Sequence, residues 1–247
     1  MKIQSFVFVH DQEIILEYLK VNKFSELPNL KYVFLGKNPT DKVEILENVI
    51  IARNLPQNIE EYPLFTSFTG WYCLWKNNLI DCDIINLFEY DIVINNNFTE
   101  ILKNLLIDYD FIGYLPYTMS MNYIQEVRWI ENIVPSIEKN YNVNIIDIVN
   151  EQLKKDGNSV WSSTSNSTFT ISTFMEYMNW FEKLIDDLKS STFCGHSHER
   201  SISFFHLINN KKIYYLSGFI RHYQLDSHGT QSINADMKFF IKELTKK

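Results

Sequence analysis

Residues 83–94, Asp-Ile-Ile-Asn-Leu-Phe-Glu-Tyr-Asp-Ile-Val-Ile, form a largely apolar run of strand character that carries Glu89 and Asp91 near its middle. A carboxylate in such a run is costly unless it is paired or bound to a metal. Side chains alternate faces along a strand, so Glu89 and Asp91 are expected to point the same way. Two acids on one face repel unless something positive lies between them or each has its own partner. A divalent cation carrying a diphosphate is one such arrangement. The plainer alternative is an edge strand that ends at Phe88, with both acids in a solvated turn.

The elements that must position these acids begin at the N-terminus. The spacing of apolar residues predicts a strand over 2–9, a helix over 13–21 and strands over 31–35 and 49–52. Strand, helix, strand at this spacing reads as a parallel α/β sheet. Ligands of such sheets sit beyond the carboxyl ends of the strands. His10, Asp11 and Gln12, then Lys37 and Asn38, are thereby placed on the ligand-facing edge. For each of them an ordinary polar loop is the plain alternative. Phe68, Trp71, Tyr72 and Trp75 recur at helical spacing and read as core. Thr66, Thr69 and Lys76 on the same segment are candidates to face a ligand.

Further on, helices are expected over 99–106, 139–155 and 173–188, and strands over 111–115 and 212–220. The Ser/Thr-rich stretch 160–171 fits a strand bordering a polar cleft. Phe193-Cys194-Gly195-His196-Ser197-His198-Glu199-Arg200 forms a second polar cluster. A helix starting near Ser197 would put Glu199 in its first turn, where an acid is favoured. His196 and His198 lack a Cys or carboxylate at zinc spacing, so a structural zinc site is not expected. The last predicted strand runs into Arg221-His222, with His228 close behind.

Composition narrows the classes. The 247 residues are poor in Gly and Pro and rich in aliphatic and aromatic side chains, which suits one domain with a sizeable core. A net charge of −7 argues against a nucleic-acid partner, because a phosphate backbone selects for Lys and Arg. It leaves room for one phosphorylated small ligand. Cys73, Cys82 and Cys194 are odd in number and lack metal spacing, so reduced thiols and a cytoplasmic location are expected. No stretch approaches a membrane span.

Residues 83–94 resemble the acidic metal-binding strand of GT-A-fold glycosyltransferases, with Glu89-Tyr90-Asp91 in place of the family's Asp-x-Asp. The helix with Phe68 to Asn77 just before it, the acid of His198-Glu199-Arg200, and the strand from Leu216 to His222 follow in the family's order. The departure is Glu at the first acidic position. The resemblance implies an α/β, GT-A-like fold: one domain with a Rossmann-type mixed sheet flanked by helices, residues 1–98 forming the nucleotide-sugar half and 99–247 the acceptor half. It implies a nucleotide-sugar donor, a glycan or other hydroxyl acceptor, and Mn²⁺ or Mg²⁺ bridging the diphosphate. Asp91 would ligate the metal, with His222 next and His228 competing with it. Glu89 would hold the ribose or a metal-bound water. His10, Gln12, Lys37, Thr69, Lys76 and Arg221 would line the donor site. Glu199 would serve as the base of an inverting reaction, or position sugar or acceptor in a retaining one.

Two other classes compete with this reading. A metal-dependent hydrolase of phosphorylated substrates would employ the acids and histidines with water as acceptor. A glycan- or nucleotide-binding protein of the same fold would need neither the paired acids nor the late histidine.

Overall fold

Every position of strand β1 (Ile3–Val9) is buried, and its side chains divide between two cores. Phe6 and Phe8 enter one core, and Ile3, Val7 and Val9 enter the other, as alternation along an inner strand requires. The structure, a computed structural model, describes all residues except 37–38, 40, 95–97, 115, 120–127, 157–158, 163, 217–219 and 223–247.

From β1 the chain runs through α1 (Gln12–Lys20), β2 (Leu30–Phe34), α2 (Asp41–Glu44) and β3 (Val49–Ile51). The Asp11 carboxylate caps α1 by accepting the Glu13 N–H at 2.8 Å. Two one-turn 3-10 helices, Ala52–Asn54 and Pro63–Phe65, lead to α3 (Ser67–Lys76), β4 (Ile84–Glu89) and β5 (Ile92–Ile94). Next come α4 (Phe98–Leu105), β6 (Phe111–Gly113), β7 (Pro116–Met119), α5 (Arg128–Tyr141), α6 (Ile145–Asp156) and β8 (Ser159–Ser162). The rest is β9 (Ser167–Thr170), α7 (Ile171–Glu182), α8 (Ile185–Leu188), α9 (Cys194–Asn209), β10 (Ile213–Tyr215) and β11 (Ile220–His222).

Seven strands form one mixed sheet in the order β10-β6-β9-β4-β1-β2-β3. β1 is parallel to β2 and β4, and β2 to β3. β9 runs antiparallel to both its neighbours, β4 and β6. Two small ladders, β5 with β11 and β7 with β8, stand apart from this sheet. Among the described residues, no helix is long and apolar enough to cross a membrane.

The second half of the hydroxyl-rich stretch, from Thr164 to Thr168, is buried, and its polar groups are joined across strands. Thr168 Oγ1 donates to Asn86 Oδ1 at 2.8 Å, Asn86 Nδ2 donates to Ser5 Oγ at 3.0 Å, and the Tyr114 hydroxyl meets Thr168 Oγ1 at 2.9 Å. Such a chain meets the cost of burying polar groups and fixes the register of four neighbouring segments.

Several expected elements are divided in the structure. Residues 139–155 belong to two helices, α5 and α6, separated by Asn142 in the left-handed region at φ 52°. Residues 173–188 are split into α7 and α8, where the Leu184 N–H turns back to the Phe181 carbonyl at 2.9 Å. The stretch 160–171 contributes β8 and β9 to different sheets. Residues 83–94 are also two strands, β4 and β5, on separate ladders.

Candidate active site

β1 and β4 lie side by side in parallel, with Phe8 in register with Glu89, so both chains leave the sheet at the same carboxyl edge. His10 and Asp11 come off β1 there, and Tyr90 and Asp91 come off β4. The Tyr18 hydroxyl of α1 donates to the Tyr90 carbonyl at 2.7 Å, and the His10 ring stands edge-on to the Tyr90 ring with centroids 5.0 Å apart. Burial pushes the Tyr90 phenol far above its ordinary range, and the charges of Asp91, Glu89 and Asp11 push it further. The charges of Asp11, Glu89 and Asp91 thus all bear on one tyrosine at the end of the central strands.

Glu89 and Asp91 do not alternate on one continuous strand. β4 ends at Glu89, the chain turns through Tyr90 and Asp91, and β5 starts at Ile92. Side chains cause this ending. Asn166 Oδ1 takes the Glu89 N–H at 2.8 Å, and Tyr18 takes the next carbonyl, so neither group is left for a longer ladder. The turn is not a solvated edge either: β4 is central in the sheet, and Asp91 is only 8 % exposed.

The Glu89 carboxylate lies at the N-terminus of α3. Its Oε1 accepts from Ser67 Oγ at 3.3 Å, and its Oε2 lies 3.5 Å from Asn166 Nδ2. Helix N-termini favour negative charge, so this placement suits an acidic side chain. Thr66, just ahead of the helix, has φ 53° and ψ −128°, a conformation rarely tolerated by a β-branched residue. Gly195 of α9 packs against this segment. A β-carbon on Gly195 would lie 2.8 Å from the Leu64 carbonyl oxygen and 3.0 Å from the Thr66 side chain.

The remaining candidates fall in different places. Gln12 opens α1, next to the same edge. Thr69 is buried in α3, and its Oγ1 has no hydrogen-bond partner among the described residues. Lys76 is not brought to the acids: it closes the last turn of α3, 2.5 Å from Glu182 Oε1 and 4.0 Å above the Trp75 ring. Lys37 and His228 lie outside the described residues.

Arg221 and His222 belong to β11 itself rather than following a strand end. β11 pairs antiparallel with β5, setting Arg221 opposite Val93 and His222 opposite Ile92. The strand that leads there, β10, is a separate element parallel to β6.

Glu199 is in the second turn of α9, not the first, because the helix already starts at Cys194 and the Ser197 N–H reaches the Phe193 carbonyl at 2.9 Å. The helix dipole, confined to the first turn, therefore does not act on Glu199. Its carboxylate forms an ion pair with the neighbouring Arg200 guanidinium. His198 is fully buried among the rings of Phe68, Trp71, Tyr177 and Phe181, and burial lowers its imidazole to about 3. It is a neutral core residue, and His196 is exposed. Among the described residues, no three His, Cys, Asp or Glu side chains gather as a ready metal site.

Asn166 and Ser67 were not legible as site residues. The only sequence signal was the hydroxyl-rich stretch around position 166, which pointed to a polar cleft without naming its partner.

No family model matches the sequence, and no curated protein does. Among solved structures, the apo form of WbbM, a bifunctional glycosyltransferase, is similar over 90 % of this chain, with a TM-score of 0.58 and 10 % identity. The chain spans 45 % of the length of that protein. Two structures of LgtC align over 86 % of this chain and 73 % and 72 % of theirs, at 10 % and 11 % identity and a TM-score of 0.40. One is the galactosyltransferase with donor and acceptor sugar analogs, and the other is an active-site mutant. The chain has a GT-A-type α/β fold, a mixed sheet with helices on both faces.

Proposed function

We propose that this protein is a glycosyltransferase that moves a sugar from a nucleotide-sugar donor to a hydroxyl acceptor. The observation that carries this reading is the acidic turn Glu89-Tyr90-Asp91, with Asp91 buried, at the carboxyl end of the central strand of a GT-A-type sheet. Buried carboxylate together with imidazole is a donor set that suits Mn²⁺, and carboxylate alone suits Mg²⁺. Asp91 would hold the cation, with His222 joining from β11, whose backbone runs alongside β5. When bound, the cation neutralises charge that develops on the departing nucleoside diphosphate.

The chain's own residues would divide the remaining work. Glu89, braced by Ser67 and Asn166, holds the ribose or a metal-bound water. His10 and Gln12 border the donor from β1 and α1. Glu199, paired with the Arg200 guanidinium, orients sugar or acceptor. Residues 1–98 would supply most of the donor side, and 99–247 the acceptor side.

The test is a melting-temperature screen of UDP, GDP, CDP and ADP with and without Mn²⁺, followed by incubation of the matching nucleotide sugars with simple glycan acceptors. A ligand that binds only the native state raises the melting temperature. The expected result is a Mn²⁺-dependent rise with one nucleotide, and transfer of its sugar to an acceptor. Release of free sugar alone would favour a hydrolase, and no rise with any of the four would sink the reading.

A further inference from the structure

Asn166 is fully buried just ahead of β9, the strand inserted between β4 and β6. Its side-chain amide reaches the acidic turn twice. Oδ1 accepts the Glu89 backbone N–H at 2.8 Å, and Nδ2 lies 3.5 Å from Glu89 Oε2. Nδ2 also donates to Thr164 Oγ1 at 3.0 Å, and the Asn166 N–H lies 3.2 Å from the same oxygen.

This pattern demands asparagine. One short planar group must offer an acceptor to an N–H and a donor to a carboxylate, and the partners on both sides fix which end is oxygen. Aspartate would keep the acceptor but set a second carboxylate against Glu89. Leucine would leave the Glu89 N–H without its acceptor. A side chain that holds both the main chain and the carboxylate of one residue restrains where that carboxylate stands.

We infer that Asn166 is a positioning residue for the acidic motif, locking Glu89 in the orientation from which it meets the donor. The role in donor binding rests on the glycosyltransferase reading, whereas the link between the two residues does not. Ser67 Oγ supports the other oxygen of the same carboxylate from the start of α3. The site is thereby anchored on β9 and α3 as well as on β4.

The test uses isotope-labelled whole protein and follows two NMR signals, the Glu89 backbone amide and the Asn166 side-chain amide. In folded Asn166→Ala the Glu89 N–H should exchange with solvent faster than in the wild type, because its acceptor is gone. Mn²⁺-dependent binding of the nucleoside diphosphate selected by the melting screen should weaken about tenfold in Asn166→Ala, as expected for a lost hydrogen bond to a charged group. Adding Asn166→Ala to Glu89→Gln should weaken it little further, because the two residues act as a unit. Unchanged exchange of the Glu89 N–H in the folded variant, or fully additive losses in the double variant, overturns the inference. Should Asn166→Ala not fold, Glu89→Gln decides: it must shift the Asn166 side-chain amide signal, and a signal insensitive to it overturns the inference. If no nucleoside diphosphate binds the wild type, the glycosyltransferase reading fails while the amide exchange still decides whether Asn166 holds Glu89.

Discussion

His222 stands opposite Ile92 in the β5–β11 ladder, so its backbone is in register with the residue that follows Asp91. A late strand thus returns to the turn at the end of the central one. If Asp91 and His222 share a cation, their removal has graded effects. Asp91→Asn should abolish the Mn²⁺-dependent part of nucleotide binding with the fold intact. His222→Ala should raise the Mn²⁺ concentration needed by about tenfold or more, on the scale of a perturbed metal site, and His228→Ala should do so less. Manganese titrations of nucleotide binding check this. A folded Asp91→Asn protein with an unchanged Mn²⁺ dependence would remove Asp91 from the metal site.

Gly195→Ala tests the seam between α9 and the start of α3. The added carbon would meet the Leu64 carbonyl oxygen, a backbone atom that cannot swing aside. Overpacking of this kind typically costs about 1–3 kcal/mol. The melting temperature should fall by several degrees, and nucleotide binding should weaken with it because Thr66 and Ser67 are displaced. A melting curve superimposable on that of the wild type would show that the seam yields freely.

Glu60 predicts a loss of stability toward neutral pH. Burial pushes its carboxyl up to about 7, a shift that Arg53 partly offsets. Folded Glu60 thus keeps a proton that the unfolded chain releases near 4.5. Its contribution is full below the unfolded value and is lost as pH rises through about 7. Glu60→Gln stays neutral throughout, so it should melt higher than the wild type at pH 8, with the gap closing near pH 4. Equal melting temperatures at both pH values would refute the assignment.

His206 predicts the opposite limb. Its ring is fully buried beside Phe111, neither nitrogen has a partner among the described residues, and burial first, then Lys211, lowers it to about 3. The unfolded chain takes up a proton below about 6.5 while the folded one stays neutral, so stability drains away between pH 6.5 and 3. His206→Phe should move the acid-unfolding midpoint to lower pH. A midpoint that stays in place would mean the ring finds a proton acceptor on folding.

The parallel half was legible because its signals are local. β1, α1, β2, β3 and α3 follow from apolar periodicity over a few residues each. The acidic stretch was legible as chemistry but not as geometry. Its apolar run continues through Ile94, whereas the break after Glu89 is made by Tyr18 and Asn166, 72 and 77 residues distant from their partners. Lys76 was misplaced for a related reason. Helical spacing gives a residue's face but not which end of a ten-residue helix meets the site, and Glu182 claims it at the far end. The helix expected from Ser197 starts three residues earlier, at Cys194, where the missing side chain of Gly195 lets it approach Leu64.

The insertion of β9 between β4 and β6 has a consequence in time. Residues 1–98 can close β1 on β2 and β4 early, but the outer edge of β4 then stays open until residues 166–170 arrive. An open strand edge invites pairing with other chains, and contacts so distant along the sequence form slowly. Glu89 acquires Asn166 only at that late step, so a chain arrested before it would carry both acids of the turn without the brace that orients one of them. Activity would then appear abruptly during refolding, in step with the capture of β9 rather than with the gain of helix.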